Sequence, residues 1–257
     1  MLALERRNLI LEKLQEEKRV VVSELSQLYN VSEETIRRDL DKLESEGYAI
    51  KSYGGAVINE NMTIDMPFNV RKNRNVSGKQ KIAELVAGMI KDGDQIMLDA
   101  STTAVFIAKM IKEKKRLTVI TNSIEIMIEL ADVSGWNIIS TGGIMKEGYL
   151  ALLGSKTETA LRSYFVDKAF VSCKALDMQR GIMDSNDLFA QAKQSMMDSA
   201  RESILAVDHS KFDNTAFAKV TDIQNLTAVV TDEKPSDGWM EFFAAHQIKC
   251  YLSLIHI

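Results

Sequence analysis

The sequence contains few cysteines, prolines and histidines, and these shortages exclude several types of protein. Cys173 and Cys250 are the only cysteines among 257 residues, and their separation matches neither a zinc motif nor a disulfide framework. Such sparse thiols are typical of a reducing compartment. The three histidines show no metal-ligand or catalytic spacing. We therefore expect no metal and no other cofactor.

Long apolar runs are also missing. No stretch approaches the ~18 apolar residues that a membrane span needs, and charges interrupt the N-terminal segment MLALERRNLI, unlike a secretion signal. We expect a cytoplasmic protein with no membrane partner. The net charge of −4 argues against a protein that coats nucleic acid with its whole surface, although a local basic face is compatible with it.

The chain divides into two patterned regions joined by an irregular one. Residues 1–58 contain short amphipathic helices and then the hairpin-like segment YAIKSYGGAV. Hydrophobic spacing breaks down over residues 59–77, which predicts a linker. Residues 78–257 alternate between helical and apolar strand-like segments, which predicts an α/β fold with a mainly parallel sheet. The seven predicted strands are Gln95–Leu98, Leu117–Thr121, Asn137–Ser140, Lys168–Cys173, Ile204–Val207, Ala228–Thr231 and Lys249–Leu252.

The helix that Ser32 is expected to cap is the most informative element of the first region. Ile36, Leu40 and Leu43 recur at helical spacing and would pack inward, whereas basic side chains lie on roughly the opposite face. A short helix, a turn and this longer helix predict a helix-turn-helix whose second helix enters the major groove, with the hairpin as a wing. The residues expected at the DNA are Ser32, Thr35, Arg37, Arg38, Lys42, Lys51 and Tyr53.

The charge of this region leaves a second interpretation open. Its first 60 residues contain more acids than bases, unlike DNA-binding domains that are easily recognised by their charge. Arg37 and Arg38 could therefore form an ordinary solvated face. Only the docking face must be positive, however, and a further basic run between Arg71 and Lys81 could approach the duplex in a dimer.

A long, ordered motif favours the DNA-binding interpretation. The segment VSELSQLYNVSEETIRRDLDKLESEGYAIKSYGGAV resembles the N-terminal winged helix-turn-helix of the DeoR family of bacterial transcriptional regulators. The shared features are V-S-x-x-T-I-R-R-D-L, the L-x-x-x-G that ends the helix and the Y-G-G-A of the wing. The resemblance implies that double-stranded operator DNA is a partner of this chain.

Small polar residues follow three successive predicted strands of the second region. The first strand leads into Asp99 and the cluster Ser101-Thr102-Thr103, the next ends in Thr121-Asn122-Ser123, and the third in Thr141-Gly142-Gly143. Ligands of parallel sheets collect at the carboxyl ends of strands, and a helix N-terminus rich in hydroxyls suits a phosphate. Each group could also be a simple helix cap or a tight turn. Their convergence favours one shared ligand pocket.

The second region continues the resemblance. The segments RKNRNVSGKQKIA, DGDQIMLDASTT, LTVITNS, TGG, LLGS, VDKAFVSCKALD, VDHSKF and AVVTD resemble the C-terminal sensor domain of DeoR regulators. The resemblance implies a fold similar to those of ribose-5-phosphate isomerase, glucosamine-6-phosphate deaminase and the CoA transferases, with a phosphorylated sugar as effector. It implicates Asp99, Ser101, Thr102, Thr103, Asn122, Ser123, Gly142, Gly143, Lys79, Lys193, Asp208 and Lys211.

Two of these lysines have an alternative interpretation. Lys193 could be a surface residue of an amphipathic helix, and Lys211 could be an ordinary loop lysine. A flexible ammonium close to a phosphate would otherwise add a favourable point charge.

Catalytic residues are harder to identify than binding residues. Isomerisation of a sugar phosphate needs a positioned base and an acid partner, but no pair of acids here has a defensible spacing, and Asp167 and Asp184 are readily explained as turn or cap residues. The resemblance therefore implies a repressor of a carbohydrate-utilisation operon that acts as a homo-oligomer, dimer or tetramer. The alternative is an isomerase-like enzyme with a fused DNA-binding module.

Overall fold

The computed structural model describes residues 1–59, 66–146 and 148–252. They form two compact units, an N-terminal unit that ends at Arg74 and a C-terminal unit that begins at Asn75. Within the described ranges, every helix is too short or too polar to cross a membrane. Part of the predicted linker, residues 60–65, lies outside the described residues.

The N-terminal unit is a helical cluster with a small antiparallel sheet. Its elements are α1 Ala3–Glu17, β1 Arg19–Val21, α2 Val22–Tyr29, α3 Glu33–Ser45, β2 Ala49–Ser52, β3 Gly55–Ile58 and α4 Phe68–Asn73. The strands pair in the order β1-β3-β2. Leu11, Leu25, Ile36 and Leu40 are buried in one core, as the helical periodicity predicts. Val70 of α4 joins this core, so the described part of the predicted linker contains a helix of this unit.

The C-terminal unit alternates strands and helices. Its elements are α5 Val76–Met89, β4 Gln95–Leu98, α6 Thr102–Met110, β5 Thr118–Thr121, α7 Ile124–Glu129, β6 Asn137–Ser140, β7 Ile144–Lys146, β8 Ala151–Leu153, α8 Ser155–Arg162, β9 Val166–Val171, β10 Ala175–Asp177, β11 Gly181–Asp184, α9 Asp187–Asp198, β12 Ala200–Ala206, β13 Ala218–Thr221, β14 Ala228–Thr231, α10 Asp237–Ala245 and β15 Lys249–Leu252.

The main sheet confirms the predicted α/β fold. Seven parallel strands lie in the order β15-β14-β12-β9-β4-β5-β6, and they correspond to the seven predicted strands. Because parallel sheets are covered by helices on both faces, their strands are continuous apolar runs; all four residues of β14 are buried, for example. A sheet of order β10-β11-β13 and the hairpin β7-β8, both antiparallel, were not predicted.

The strand order fixes where a ligand would be expected. The chain passes from β4 through β5 to β6 on one side, and later resumes at β9 on the other side of β4. The crevice beyond the carboxyl ends of β4 and β9 is therefore the point at which the winding direction reverses. Ligands of open α/β sheets bind preferentially at such a point.

Candidate functional site

Helix α3 is capped by a residue expected at the DNA. Ser32 Oγ accepts a hydrogen bond from the backbone N–H of Thr35 at 3.2 Å, and the two side-chain hydroxyls lie 2.9 Å apart. These two side chains therefore fix the start of the helix, since an N-cap satisfies an amide that has no intrahelical acceptor. Ser32 is exposed and Thr35 is half-buried.

The basic residues on the outer face of α3 each pair with an acid one turn away. Arg37 lies 2.5 Å from Glu33, and Arg38 lies 3.4 Å from Glu34. Lys42 forms the same kind of pair with Glu46, at 3.4 Å. The Arg38 side chain is 78% exposed, and exposed pairs of this kind contribute only about 0.3–0.5 kcal/mol. A DNA phosphate could displace such a weakly held acid.

The predicted wing is the β2–β3 hairpin. Tyr53 lies fully exposed at its tip, and Lys51 pairs with Asp41 of α3. The following Gly55 is required by packing, because a Cβ there would lie 2.0 Å from the carbonyl oxygen of Val20 in β1. The Y-G-G motif thus permits the close pairing that holds the wing against β1.

The sequence did not reveal a buried ion pair behind α3. Arg6 Nε lies 2.5 Å from Asp39 Oδ2, and only 8% and 5% of the two side chains are exposed. Asp39 shares the inner face of α3 with Ile36, Leu40 and Leu43. A charged residue at a core position of an amphipathic helix was the signal that could have predicted a buried partner.

In the C-terminal unit, Asp99 lies where β4 and β9 separate. One of its carboxylate oxygens accepts from the backbone N–H of Ser101 at 3.1 Å, and the other from that of Ser172, just after β9, at 3.0 Å. The side chain is 2% exposed. Asp99 therefore joins the two central strand ends at the reversal point of the sheet.

Lys193 of α9 completes this cluster. Its ammonium lies 3.0 Å from Asp99 Oδ2 and 2.8 Å from Asp184 Oδ2, and it donates to the carbonyl of Ser172 at 2.6 Å. Burial lowers the pKa of Lys193, but the Asp184 and Asp99 carboxylates outweigh it and hold the pKa above its ordinary value. The lysine is thus buried rather than on the surface. Its three N–H donors have three acceptors, so contact with a phosphate would require it to release one of them.

The N-termini of α6 and α7 lie at the ends of adjacent strands. Ser101 Oγ accepts from the amide of Ala104 at 3.1 Å, and Ser123 Oγ accepts from that of Ile126 at 3.2 Å. Both serine side chains therefore cap their helices. The backbone amides of Thr102 and Thr103 are in the first turn of α6, where a helix supplies no acceptor. They remain suitable donors to an anion.

Asn122 carries an unsatisfied polar atom. Its Nδ2 donates to the carbonyl of Leu152 at 3.0 Å, but its Oδ1 is buried without a hydrogen-bond donor among the described residues. Leaving such an oxygen unpaired costs roughly 1–3 kcal/mol. A ligand hydroxyl or a water molecule could supply the missing donor.

The glycine pair after β6 adopts backbone conformations that favour glycine. Gly142 has φ 62° and Gly143 has φ 121°. A Cβ on Gly143 would lie 2.2 Å from the Thr157 hydroxyl, which instead donates to the Gly142 carbonyl at 2.7 Å. Both glycines are exposed, and their observed role is a tight turn.

Asp208 and Lys211 lie at the other side of the reversal point. Asp208 follows β12 and caps a single 3₁₀ turn, His209–Lys211. Burial raises the pKa of Cys173 to about 12, and the charges of Lys193, Asp184, Lys211 and Asp208 all contribute to that pKa. Lys79, the remaining predicted effector residue, is buried in α5.

Comparison with known proteins places the chain in a family. Residues 6–62 match the DeoR-like helix-turn-helix domain, and residues 74–233 match the DeoR C terminal sensor domain. In solved structures, ribose 5-phosphate isomerase A of Methanocaldococcus jannaschii is similar over 54% of this chain and 55% of its own, with 18% identity and a TM-score of 0.39.

Relatives similar over most of their length are named as regulators. The HTH-type transcriptional regulator YulB of Bacillus subtilis is 41% identical, over 90% of each chain. The L-fucose operon activator of Haemophilus influenzae is 31% identical, over 96% of this chain and 99% of its own. The transcriptional repressor GlcR of B. subtilis is 32% identical, over 90% and 89%. This chain belongs to the DeoR family of transcriptional regulators.

Proposed function

We propose that this regulator represses a carbohydrate-utilisation operon and releases its operator when a phosphorylated sugar binds in the C-terminal unit. The observation that carries the proposal is the convergence of polar groups at the carboxyl ends of β4, β5, β9 and β12. These ends lie at or beside the point where the winding direction of the chain reverses. The L-fucose operon activator is a relative whose name refers to a sugar, which supports the choice of effector class.

The anionic part of the effector is assigned to the start of α6. The amides of Thr102 and Thr103 and the positive end of the helix dipole favour a phosphate there. The hydroxyl-bearing part is assigned to the neighbouring residues, because Asn122 Oδ1 needs a donor and the carboxylates of Asp99 and Asp208 accept hydrogen bonds from hydroxyls. Lys193 holds Asp99 in place rather than contacting the phosphate.

The operator is assigned to α3 and the wing. Arg37, Arg38 and Lys42 would leave their acidic partners and contact phosphates or base edges. Lys51 and Tyr53 would contact the neighbouring DNA backbone. Two half-sites would require a homo-oligomer. The effector changes operator affinity only as far as it binds the two states of the protein differently.

The test begins with a duplex selected from a random pool by the purified chain. Its Kd is measured by fluorescence anisotropy with glucose 6-phosphate, fructose 1-phosphate, fructose 6-phosphate or ribose 5-phosphate, and with each parent sugar. We expect one phosphate to weaken binding at least about tenfold, its parent sugar to have no effect, and NMR to show the compound unconsumed. Turnover would favour the enzyme alternative, and no effect from any phosphate would refute the effector class.

A pair of variants localises the effector. Thr102→Glu should abolish the response to the active phosphate without changing duplex affinity, because a carboxylate would occupy the anion site. Ser155→Glu places the same side chain at the start of α8, on an exposed position, and should leave the response intact. An intact response in Thr102→Glu would place the site elsewhere.

A further inference from the structure

Asp232 connects two segments that are distant in the sequence. It follows β14, and its side chain is 3% exposed. Oδ1 accepts from the backbone N–H of His209 at 2.7 Å, while Oδ2 accepts from Asn75 Nδ2 at 3.0 Å and lies 3.0 Å from His209 Nδ1. One buried carboxylate therefore holds both the turn after β12 and the start of α5.

The first of these segments contains two residues of the proposed effector site. Asp208 and Lys211 flank His209, and Asp208 Oδ1 accepts from the amide of Ser210 at 3.0 Å. The turn is only three residues long. A ligand that moves or holds Asp208 or Lys211 must therefore also act on the hydrogen bonds between His209 and Asp232.

The second segment is the beginning of the C-terminal unit. Asn75, at φ 47°, caps α5: its side chain accepts from the amide of Gly78 at 3.3 Å, and its carbonyl accepts from that of Lys79 at 3.1 Å. Asp232 packs closely against the start of α5, because a Cβ on Gly78 would lie 2.3 Å from Asp232 Oδ2. Asn75 directly follows Arg74, the last residue of the N-terminal unit, which contains the helix-turn-helix and is called the DNA-binding unit below.

The carboxylate is suited to hold both segments. Burial raises the pKa of Asp232, but hydrogen bonds from Asn75 and His209 outweigh it and hold the pKa below the ordinary value. The charge is therefore present at neutral pH. Charge-assisted hydrogen bonds are about twice as strong as neutral ones. Displacement of the 208–211 turn therefore strains the hydrogen bond between Asp232 and Asn75.

We propose that Asp232 is the coupling residue between the effector site and the DNA-binding unit, because it fastens the 208–211 turn to the first residues of α5. This inference rests on the proposed function for the role of Asp208 and Lys211. A change of the turn when the effector binds would alter the cap of α5, at the position where the chain enters from the DNA-binding unit. Coupling of this kind typically changes affinity by about 5- to 150-fold.

The first test needs no effector. Amide exchange of Gly78 and Lys79 is followed by NMR in the full chain. Asp208→Ala should accelerate exchange of both amides roughly threefold or more. In an Asp232→Asn background the same substitution should cause no further acceleration, because the connection between the turn and α5 is already broken. Asp222→Ala alters the residue before another 3₁₀ turn, Ile223–Asn225. It is the matched control and should leave both amides unchanged.

Two outcomes of this test would overturn the proposal. One is unchanged exchange at Gly78 and Lys79 in Asp208→Ala, and the other is equal acceleration with and without Asp232. If Asp232→Asn does not fold, Asn75→Ala cuts the same connection from its other end. In that background Asp208→Ala should no longer affect Lys79.

The second test uses the sugar phosphate that most weakens duplex binding in the panel above. Asp232→Asn should bind it within about threefold of the wild-type Kd by calorimetry, but its effect on duplex affinity should fall at least about fivefold. Loss of sugar-phosphate binding itself would overturn the proposal, since Asp232 would then belong to the site. If no compound acts on the wild type, the proposed function fails and the exchange experiment alone decides the coupling role.

Discussion

Lys193 Nζ lies 2.8 Å from Asp184 Oδ2 inside the C-terminal unit, where only 10% and 9% of the two side chains are exposed. Removing one member of a buried ion cluster leaves uncompensated charge, which costs about 3–5 kcal/mol. Lys193→Met should therefore lower the free energy of unfolding by about that amount in urea titrations. Adding Asp184→Asn should recover part of the loss, because one buried charge is removed.

The control for this prediction is a lysine in an exposed pair. Lys219 and Asp222 lie 2.6 Å apart, with 50% and 58% of their side chains exposed, so Lys219→Met should cost less than about 1 kcal/mol. Equal destabilisation by the two lysine substitutions would contradict the burial argument.

The acids of α3 should weaken DNA binding. Glu34→Gln should tighten duplex binding roughly two- to fivefold, because it frees Arg38 and removes a charge that repels phosphates. Arg38→Met should weaken binding by about 1–3 kcal/mol if it reads a base, or reduce the salt slope by about one if it contacts a phosphate. Anisotropy over a salt series measures both effects.

Arg162 of α8 provides the matched control, since its side chain is also exposed and pairs with an acid one turn away, Glu158, at 3.9 Å. Arg162→Met should change neither duplex affinity nor its salt slope. If Arg38→Met behaved like Arg162→Met, α3 would not be the DNA-contacting helix.

Gly143 should tolerate alanine less well than Gly142. A Cβ on Gly143 would contact Thr157 Oγ1 at 2.2 Å and the Leu153 carbonyl at 2.8 Å, whereas nothing lies within 4 Å of one on Gly142. Gly142→Ala should cost about 1–2 kcal/mol from its left-handed backbone alone. Gly143→Ala should lower the free energy of unfolding by about 1–3 kcal/mol more than Gly142→Ala does, as measured by urea titration. A larger loss for Gly142→Ala would show that the turn relaxes freely.

His209 should make stability depend on pH. Partial burial lowers its pKa, but the hydrogen bond to Asp232 and the charges of Asp232 and Glu233 outweigh it, so the pKa lies above the ordinary 6.5. A histidine whose pKa is raised in the folded state stabilises the fold. Its contribution is fully present below the unfolded-state pKa and disappears as pH rises through the folded-state pKa. The Tm difference between wild type and His209→Asn should therefore be larger at pH 5.5 than at pH 8.5.

His246→Asn is the control for this titration, because the imidazole of His246 lies against the Phe242 carbonyl, with no carboxylate contact among the described residues. The same pH dependence in both variants would show that His209 is not the responsible group.

Local pattern was sufficient to predict the main sheet and the core of α3. Each of the seven strands is a short apolar run, and Ile36, Leu40 and Leu43 are buried as their spacing indicates. Strands β10 and β13, with the sequences ALD and AKVT, were missed because neither is a continuous apolar run. Their common neighbour β11, GIMD, begins with a glycine and ends with an acid.

The polar contacts of the candidate site were only partly predictable. Asp99 and Asn122 were predicted at the site because parallel strands bring their carboxyl ends to one edge, whereas Asp208 was predicted from the family resemblance alone. The partners of Lys193 were not, because helical spacing identifies a buried face but not which distant carboxylate meets it. Asp184 was interpreted as a turn or cap residue, because an acid at the end of a short segment commonly has that role. In the structure it is a partner of Lys193.

The central position of β4 has a consequence for synthesis of the chain. Its neighbour β9 emerges from the ribosome only after β5, β6 and the β7-β8 hairpin, so the middle of the sheet cannot close until most of the C-terminal unit has been translated. The contacts of α2, α3 and the wing are between near neighbours in sequence, and such contacts form quickly. A nascent chain can therefore assemble its helix-turn-helix well before the central strands of the C-terminal sheet have paired.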